Sequence, residues 1–131
     1  MDRLLLWAPR VLSLLRIIAA LLFMEHGLMK LLHFPTAQPG APDPLPPILM
    51  VAGVLEIGGG ALLALGLFTR PTAFVLSGMM AVAYFLVHAP KSFFPAVNMG
   101  EPAILLCFVF LYLMFAGPGE WSLDAQLRKR P

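Results

Sequence analysis

Four long apolar blocks, separated by short connections rich in proline or glycine, dominate the pattern of this 131-residue chain. The blocks cover about residues 11–33, 48–68, 71–89 and 101–117. Each is long enough to cross a bilayer as an α-helix, which needs about 20 apolar residues. The pattern therefore predicts an all-α fold, an integral membrane four-helix bundle that forms one domain over residues 1–131.

The connections between the blocks carry strong helix-breaking signals. Residues 35–47 contain six prolines, which forbid a continuous helix and predict a solvated loop. A tight break at Thr69-Arg70-Pro71 predicts a helical hairpin, and Gly117-Pro118-Gly119 ends the fourth block. Beyond it, Ser122 is a good N-cap, so residues 120–128 are predicted to form a short interfacial helix.

Composition supports a membrane protein and narrows the function classes. The chain is 60% hydrophobic and 12% charged, with a mean hydropathy of +0.85. Average soluble domains have about twice this share of charged residues. The net charge of +2 does not indicate a nucleic-acid partner, and the sequence has no GxGxxG, Walker or GxSxG motif.

The positive charges predict the orientation of the helices. Seven of the nine Lys and Arg residues fall on the side of the two termini and the 69–71 turn, whereas Lys30 and Lys91 fall on the other side. Because short cytoplasmic segments carry an excess of Lys and Arg, we expect both termini in the cytoplasm.

Several ionisable side chains lie deep within the apolar pattern. Glu25 and His26 are about 10 Å below the outer end of the first helix, and Glu56 is about 12 Å below the same surface. A charged group at this depth must be paired, neutral or next to a polar cavity. We therefore predict a polar cluster in the outer third of the bundle, in which Glu56 either accepts a hydrogen bond from His26 or Lys30 or is protonated.

Two further expectations concern helix packing and the cytoplasmic side. The run Gly58-Gly59-Gly60 predicts close helix contact near the stripe that holds Glu56. Arg16 is close enough to the predicted end of its helix to snorkel to the interface. Asp124 is expected to pair with Arg70 or Arg16.

The spacing of the candidate ligands does not indicate a metal site, and the cysteine content does not allow an intrachain disulfide. The side chains of Glu25, His26, His33 and Glu56 are acceptable ligands for Zn, Fe or Mn, but they form no ExxH pair of the kind found in di-metal bundles. Cys107 is the only cysteine, so neither an intrachain disulfide nor a CxxC motif is available. We predict no metal site.

A series of short motifs resembles one known family. In chain order they are His26-Gly27 with Lys30-Leu31, LEIGGGALLALGLFTR at 55–70, a methionine-bearing helix ending at His88, Gly100-Glu101, and GPGEWSLD at 117–124. In this order and spacing they resemble the DoxX family of small four-helix membrane proteins. The resemblance implies a multi-pass protein of the prokaryotic inner membrane linked to oxidoreductase systems, including thiosulfate-to-quinone electron transfer.

The resemblance and the residue pattern together give the candidate site. The positions that match the family are Arg16, His26, Lys30, Glu56, Arg70, His88, Glu101 and Asp124. Of these, Glu56, His26 and Lys30 are the candidate catalytic residues. The other five, with Glu25 and His33 from the residue pattern, are the candidate ligand-binding residues.

Two hypotheses of different classes remain open. In the first, the outer polar cluster binds a quinone or a similar flat ligand, with Glu56 and His26 passing protons and Lys30 stabilising an oxyanion. In the second, the bundle is a scaffold in the lipid bilayer that docks a redox partner protein, and its buried polar groups fix only the helix register.

Overall fold

A computed structural model describes residues 2–129, and every regular element in that range is helical. The elements are α1 (Asp2–Leu32), α2 (Pro47–Leu65), α3 (Thr69–Ala83), α4 (Pro95–Asn98), α5 (Glu101–Ala116) and α6 (Leu123–Arg128). A π-helical turn, Tyr84–His88, continues α3. By length and apolar composition, α1, α2 and the extended α3 can each cross a membrane, and α5 is a shorter apolar helix of 16 residues. The all-α prediction is confirmed.

The four long helices pack in a ring. Most contacts join α1 to α2 and α3 to α5, while α2 and α3 touch less and α1 and α5 least. Phe23 of α1 and Phe110 of α5 meet edge to face, with ring centroids 5.1 Å apart. The apolar core comprises Ala19, Ala20, Phe23, Leu63, Ala73, Leu76, Met80, Phe110 and Leu113.

The first helix begins earlier than the sequence pattern predicted. α1 starts at Asp2, not near residue 11, and contains 31 residues. Leu4, Leu5 and Leu6 are strong helix formers, so they extend the helix towards the N-terminus. Pro9 removes one backbone hydrogen bond within α1 without ending the helix.

Close contact between α1 and α2 depends on glycine. A Cβ atom on Gly27 would lie 2.7 Å from the carbonyl oxygen of Gly53 and 2.8 Å from the Cβ of Glu56. Gly60 similarly faces the backbone of Ala20, as the glycine run predicted. The other two glycines of the run do not face α1. Gly59 faces α3, and a Cβ atom on Gly58 would have no heavy atom within 4 Å.

The proline-rich loop lies where it was predicted. The break predicted at 69–71 is wrong, because the left-handed residue Gly66 caps α2 and the turn lies at 66–68, so residues 69–71 begin α3. α2 begins at Pro47, after the proline-rich loop, and its C-cap is Gly66, whose φ of 68° lies in the left-handed region. Ser122 is the N-cap of α6, since its hydroxyl accepts a hydrogen bond from the Ala125 amide at 3.1 Å. The predicted C-terminal helix is thus confirmed, and its position at the membrane interface stays a prediction.

Candidate functional site

Lys30 and Glu56 form a buried ion pair between α1 and α2. The Lys30 ammonium donates a hydrogen bond to Oε1 of Glu56 at 2.6 Å. The two side chains are only 11% and 4% exposed. The predicted contact between Glu56 and Lys30 is therefore confirmed.

The depth of this pair agrees with the sequence pattern. Glu56 is the tenth of the 19 residues of α2, so about 14 Å of helix lie on either side of it. Lys30 is two residues from the end of α1, and its long side chain reaches down to the carboxylate. The carboxylate thus lies at mid-length of α2, close to the predicted depth of about 12 Å, and its place in the outer third of the membrane stays a prediction.

One carboxylate oxygen of this pair is left without a donor. Oε2 of Glu56 is buried and has no hydrogen-bond partner among residues 2–129. The backbone amides in the middle of α2 already donate within the helix, so they cannot donate a hydrogen bond to Oε2. In an apolar interior, an acceptor without a donor costs free energy.

His26, the third predicted catalytic residue, makes no hydrogen bond to Lys30 or Glu56. Its side chain is exposed and its Nδ1 is 3.0 Å from the Leu22 carbonyl oxygen, one turn earlier in α1. It lies within electrostatic range of Glu56 but does not hydrogen-bond to it. Nε2 of His26 therefore remains available to another partner.

The outer candidate residues do not converge on this pair. Glu25, His33 and Glu101 are exposed and make no side-chain hydrogen bond or ion pair within the described part of the chain. Glu101 borders a surface depression of about 390 Å³ beside Pro95 and Ile104. These positions stay predictions as ligand-binding residues.

His88 belongs to a separate network in the connection between α3 and α5. Its Nδ1 is 3.0 Å from the carbonyl oxygen of Asn98, and its ring stacks on Tyr84. Asn98 is 1% exposed, and its side chain binds the Tyr84 hydroxyl, the Ser92 carbonyl and the Gly100 amide. The sequence analysis missed Asn98, because a single Asn in a loop gives no signal of burial.

Arg16 has a different environment from the one predicted. It is 1% exposed, and its guanidinium donates to the carbonyl oxygens of Pro118, Trp121 and Ala64. The snorkelling prediction is wrong because α1 starts at Asp2, which places Arg16 in mid-helix beside the ends of α2 and α5. There it meets the Ala64 carbonyl, which the end of α2 leaves free, and two carbonyl groups of the loop between α5 and α6.

Arg70 and Asp124 also bind backbone groups. Arg70 donates to the carbonyl oxygens of Met114 and Phe115 at 2.8 and 2.6 Å. Asp124 accepts hydrogen bonds from the amides of Phe68 and Thr69 at 3.0 and 2.9 Å. The predicted pairing of Asp124 with Arg70 or Arg16 is wrong, because helix ends offer each side chain a backbone partner instead.

These hydrogen bonds also affect the Asp124 carboxyl itself. Partial burial raises its pKa, but hydrogen bonds from Thr69 and Phe68 and the charge of Arg128 outweigh burial. The pKa of Asp124 is therefore below its usual range, and the ionised form binds the start of α3.

Metal ligands are not clustered within residues 2–129, where no three His, Cys, Asp or Glu side chains lie close enough to hold an ion. A second surface depression, of about 360 Å³, lies at the end of the bundle that holds Arg70, Asp124 and Arg128.

Comparisons with known proteins identify similar chains. The family model DoxX matches residues 11–89. A Haemophilus influenzae protein named "uncharacterized protein" is 45% identical over 134 residues, covering 99% of this chain and 100% of its own length. The inner membrane protein YqjF of Escherichia coli is 31% identical over 122 residues, or 88% of this chain and 90% of its own.

A third relative is more distant. The uncharacterized membrane protein Rv3486 of Mycobacterium tuberculosis is 28% identical over 131 residues, covering 88% of this chain and 80% of its own length. No solved structure matches the chain.

Proposed function

Because this chain belongs to the DoxX family and is a multi-pass inner-membrane protein, we propose that it is the quinone-binding membrane subunit of an oxidoreductase system. The supporting observation is the buried pair of Lys30 and Glu56, in which Oε2 of Glu56 has no donor. A quinol hydroxyl supplies the missing donor, and the lipid phase supplies the ligand.

The chemistry of the pair suits proton exchange with such a ligand. A quinone becomes a quinol when it takes two electrons from the redox centre of a partner enzyme and two protons. Glu56 can deliver a proton to a ligand oxygen or receive one from it. Lys30 holds a positive charge 2.6 Å from the carboxylate and stabilises negative charge that develops on the ligand.

The scaffold hypothesis is the second candidate, and one observation favours it. The pair lies where Gly27 and Gly53 bring α1 and α2 into close contact, so the charges also lock the register of the two helices. In that case the ionisable proton of Glu56 serves no chemistry.

Two substitutions at Glu56 separate these functions. Glu56→Gln keeps the shape and an acceptor for Lys30 but cannot exchange a proton, whereas Glu56→Leu removes the polar group. Quinone per protein is measured by mass spectrometry of lipid extracts, together with the melting temperature. Glu120→Gln, the same chemical change at an exposed carboxylate that pairs with Arg10, is the matched control.

For a quinone subunit, the purified protein carries quinone, and Glu56→Gln binds it about tenfold less tightly because a charge-assisted hydrogen bond is lost. The melting temperature of this variant stays near wild type, since Lys30 can reach the nearby helix end. If Glu56→Gln changes neither quinone content nor melting temperature while Glu56→Leu lowers the melting temperature, the scaffold function is supported. If the purified wild-type protein carries no quinone, the proposal of a quinone-binding subunit is contradicted.

We also infer that both termini face the cytoplasm, from the seven-to-two division of Lys and Arg. Cysteines replacing Gln38 and Gln126 in a Cys107→Ala background are treated with an impermeant thiol reagent on spheroplasts. Gln38→Cys reacts and Gln126→Cys does not. The reverse result inverts the orientation.

A further inference from the structure

The surface depression where α6 packs against the start of α3 combines positive charge with an apolar wall. It has a volume of about 360 Å³, and we call it the α6 depression. Two cations, Arg70 of α3 and Arg128 of α6, line it together with the apolar side chains of Phe68, Pro71 and Leu127. This is the composition that a ligand with an anionic group and an apolar part requires.

Both arginines of the α6 depression are exposed and can still donate hydrogen bonds. Arg70 uses only Nη1 for its bonds to the carbonyl oxygens of Met114 and Phe115. Within residues 2–129, its Nε and Nη2 donate to no acceptor, and the Arg128 guanidinium makes no hydrogen bond or ion pair. A guanidinium is always charged and presents parallel N–H groups that match the oxygens of a phosphate. The free donors therefore suit a phosphate group.

The carboxylate in the α6 depression is already bound by backbone donors. Oδ1 and Oδ2 of Asp124 accept hydrogen bonds from the amides of Phe68 and Thr69 at 3.0 and 2.9 Å. Asp124 therefore occupies the N-terminus of α3, and the arginine side chains, not the helix end, are left to hold a ligand. One negative charge faces two positive ones, so the depression keeps a net positive charge.

The length of α2 places the α6 depression at the level of a membrane surface. α2 has 19 residues and is about 28 Å long, close to the thickness of about 30 Å of a typical hydrocarbon layer. The turn at 66–68 that follows α2 therefore lies at one of the two surfaces, whichever way the chain is oriented. Phe68 and Leu127 are exposed there, beside the depression. Lipid phosphates are thus the anions that lie at its level.

We propose that the α6 depression binds the headgroup of an anionic phospholipid. The lipid phosphate accepts hydrogen bonds from Arg70 and Arg128, and the glycerol and upper acyl chains contact Phe68 and Leu127. A headgroup with a net negative charge complements the two cations, as in other basic pockets between membrane helices. A zwitterionic headgroup brings an ammonium group close to two guanidinium groups, so it binds less tightly. A free phosphate ion leaves the apolar wall in contact with water.

Native mass spectrometry of the full chain in a neutral detergent tests the choice of ligand. Phosphatidylglycerol and phosphatidylethanolamine are titrated separately, and inorganic phosphate is added as a competitor. We expect a dissociation constant for phosphatidylglycerol at least about fivefold lower than for phosphatidylethanolamine, and no displacement of the lipid by an equal concentration of phosphate. Equal affinity for the two lipids, or displacement of the lipid by phosphate, overturns the proposal.

Substitution of Arg128 tests the place of binding. Arg128→Gln removes a cation of the depression, so the dissociation constant for phosphatidylglycerol should rise about fivefold, whereas Arg128→Lys keeps the charge and most of the affinity. Arg10→Gln is the matched control, because Arg10 lies at the same end of the bundle but outside the depression, where it pairs with Glu120. An equal loss of affinity in Arg128→Gln and Arg10→Gln contradicts a site in the depression.

A second variant leaves both arginines in place. Leu127→Glu adds a negative charge to the wall of the depression, so it should also weaken phosphatidylglycerol binding about fivefold. Leu127 and Arg128 are exposed in the last turn of α6, so neither substitution should change the melting temperature of the bundle. Unchanged affinity in both variants contradicts the proposal. Quinone content is not read in these measurements, so their outcome is independent of the proposed function.

Discussion

The charged residues at the end of the bundle near α6 and those at mid-length of α2 differ in what they bind. Arg16, Arg70 and Asp124 all bind backbone groups at helix ends, and Arg16 also binds the loop between α5 and α6. Lys30 and Glu56 bind each other, in a region where the backbone of α2 is already satisfied. The first group has a structural explanation in the helix termini. The second has none in the local backbone, which is why we assign the function to it.

The largest expected effect is the loss of the Arg16 guanidinium. Arg16→Leu leaves the carbonyl groups of Ala64, Pro118 and Trp121 without their donor, so we expect a loss of about 3 kcal/mol or more in unfolding free energy. Chemical denaturation of detergent-solubilised protein, followed by circular dichroism, measures it.

Arg10→Gln is the matched control for this change. Arg10 pairs with Glu120 at 3.2 Å, and both side chains are exposed, so its loss costs about 0–1 kcal/mol. If the two substitutions cost the same, the backbone contacts of Arg16 do not stabilise the fold and the contrast between the two regions fails.

A smaller effect is expected where α1 and α2 cross. Gly27→Ala places a methyl group within 2.7 Å of the Gly53 carbonyl oxygen, which forces the helices apart and costs about 1–3 kcal/mol. Gly58→Ala is the control, because that site is open and alanine favours a helix. The same denaturation assay should show Gly27→Ala destabilised and Gly58→Ala neutral or stabilised. Equal stability would mean that the crossing is not tight.

The smallest effect concerns acid pH at the start of α3. The pKa of Asp124 is lower in the folded chain than in the unfolded one, so its stabilisation is complete above the unfolded value and is lost as pH falls through the folded one. We expect α6 to loosen below about pH 4. Hydrogen exchange of residues 120–128 measures this.

Asp124→Asn provides the comparison for the acid experiment. Its amide oxygen still accepts from the Thr69 amide but carries no charge, so exchange in α6 should be faster at neutral pH and nearly independent of acid. Acid loosening of equal size in the variant and the wild type would assign the effect to another group.

The sequence predicted much of the fold, because apolar length and proline placement are local signals. The proline-rich loop, the turn near Arg70 and the Ser122 N-cap all follow from such signals. The contact of Glu56 with Lys30 was also accessible, since a deep carboxylate must find a cation and few are near.

Other parts of the site could not be read from the sequence. The partners of Arg16 and Arg70 are carbonyl groups, which every residue carries, so no residue type marks them. Asn98 is buried only because Tyr84, Ser92 and Gly100 fold around it. The burial of Arg16 depended on where α1 begins, and element ends are the least certain part of a sequence-based prediction.

The unequal lengths of the helices have a consequence for the surrounding lipid. α5 has 16 residues and is about 24 Å long, whereas a typical hydrocarbon layer is about 30 Å thick. α1, with 31 residues, is about 46 Å long and exceeds that thickness. This hydrophobic mismatch thins the bilayer beside α5, and each isolated chain carries its own ring of strained lipid. A chain with such a short helix is expected to favour regions of the membrane that are already thin.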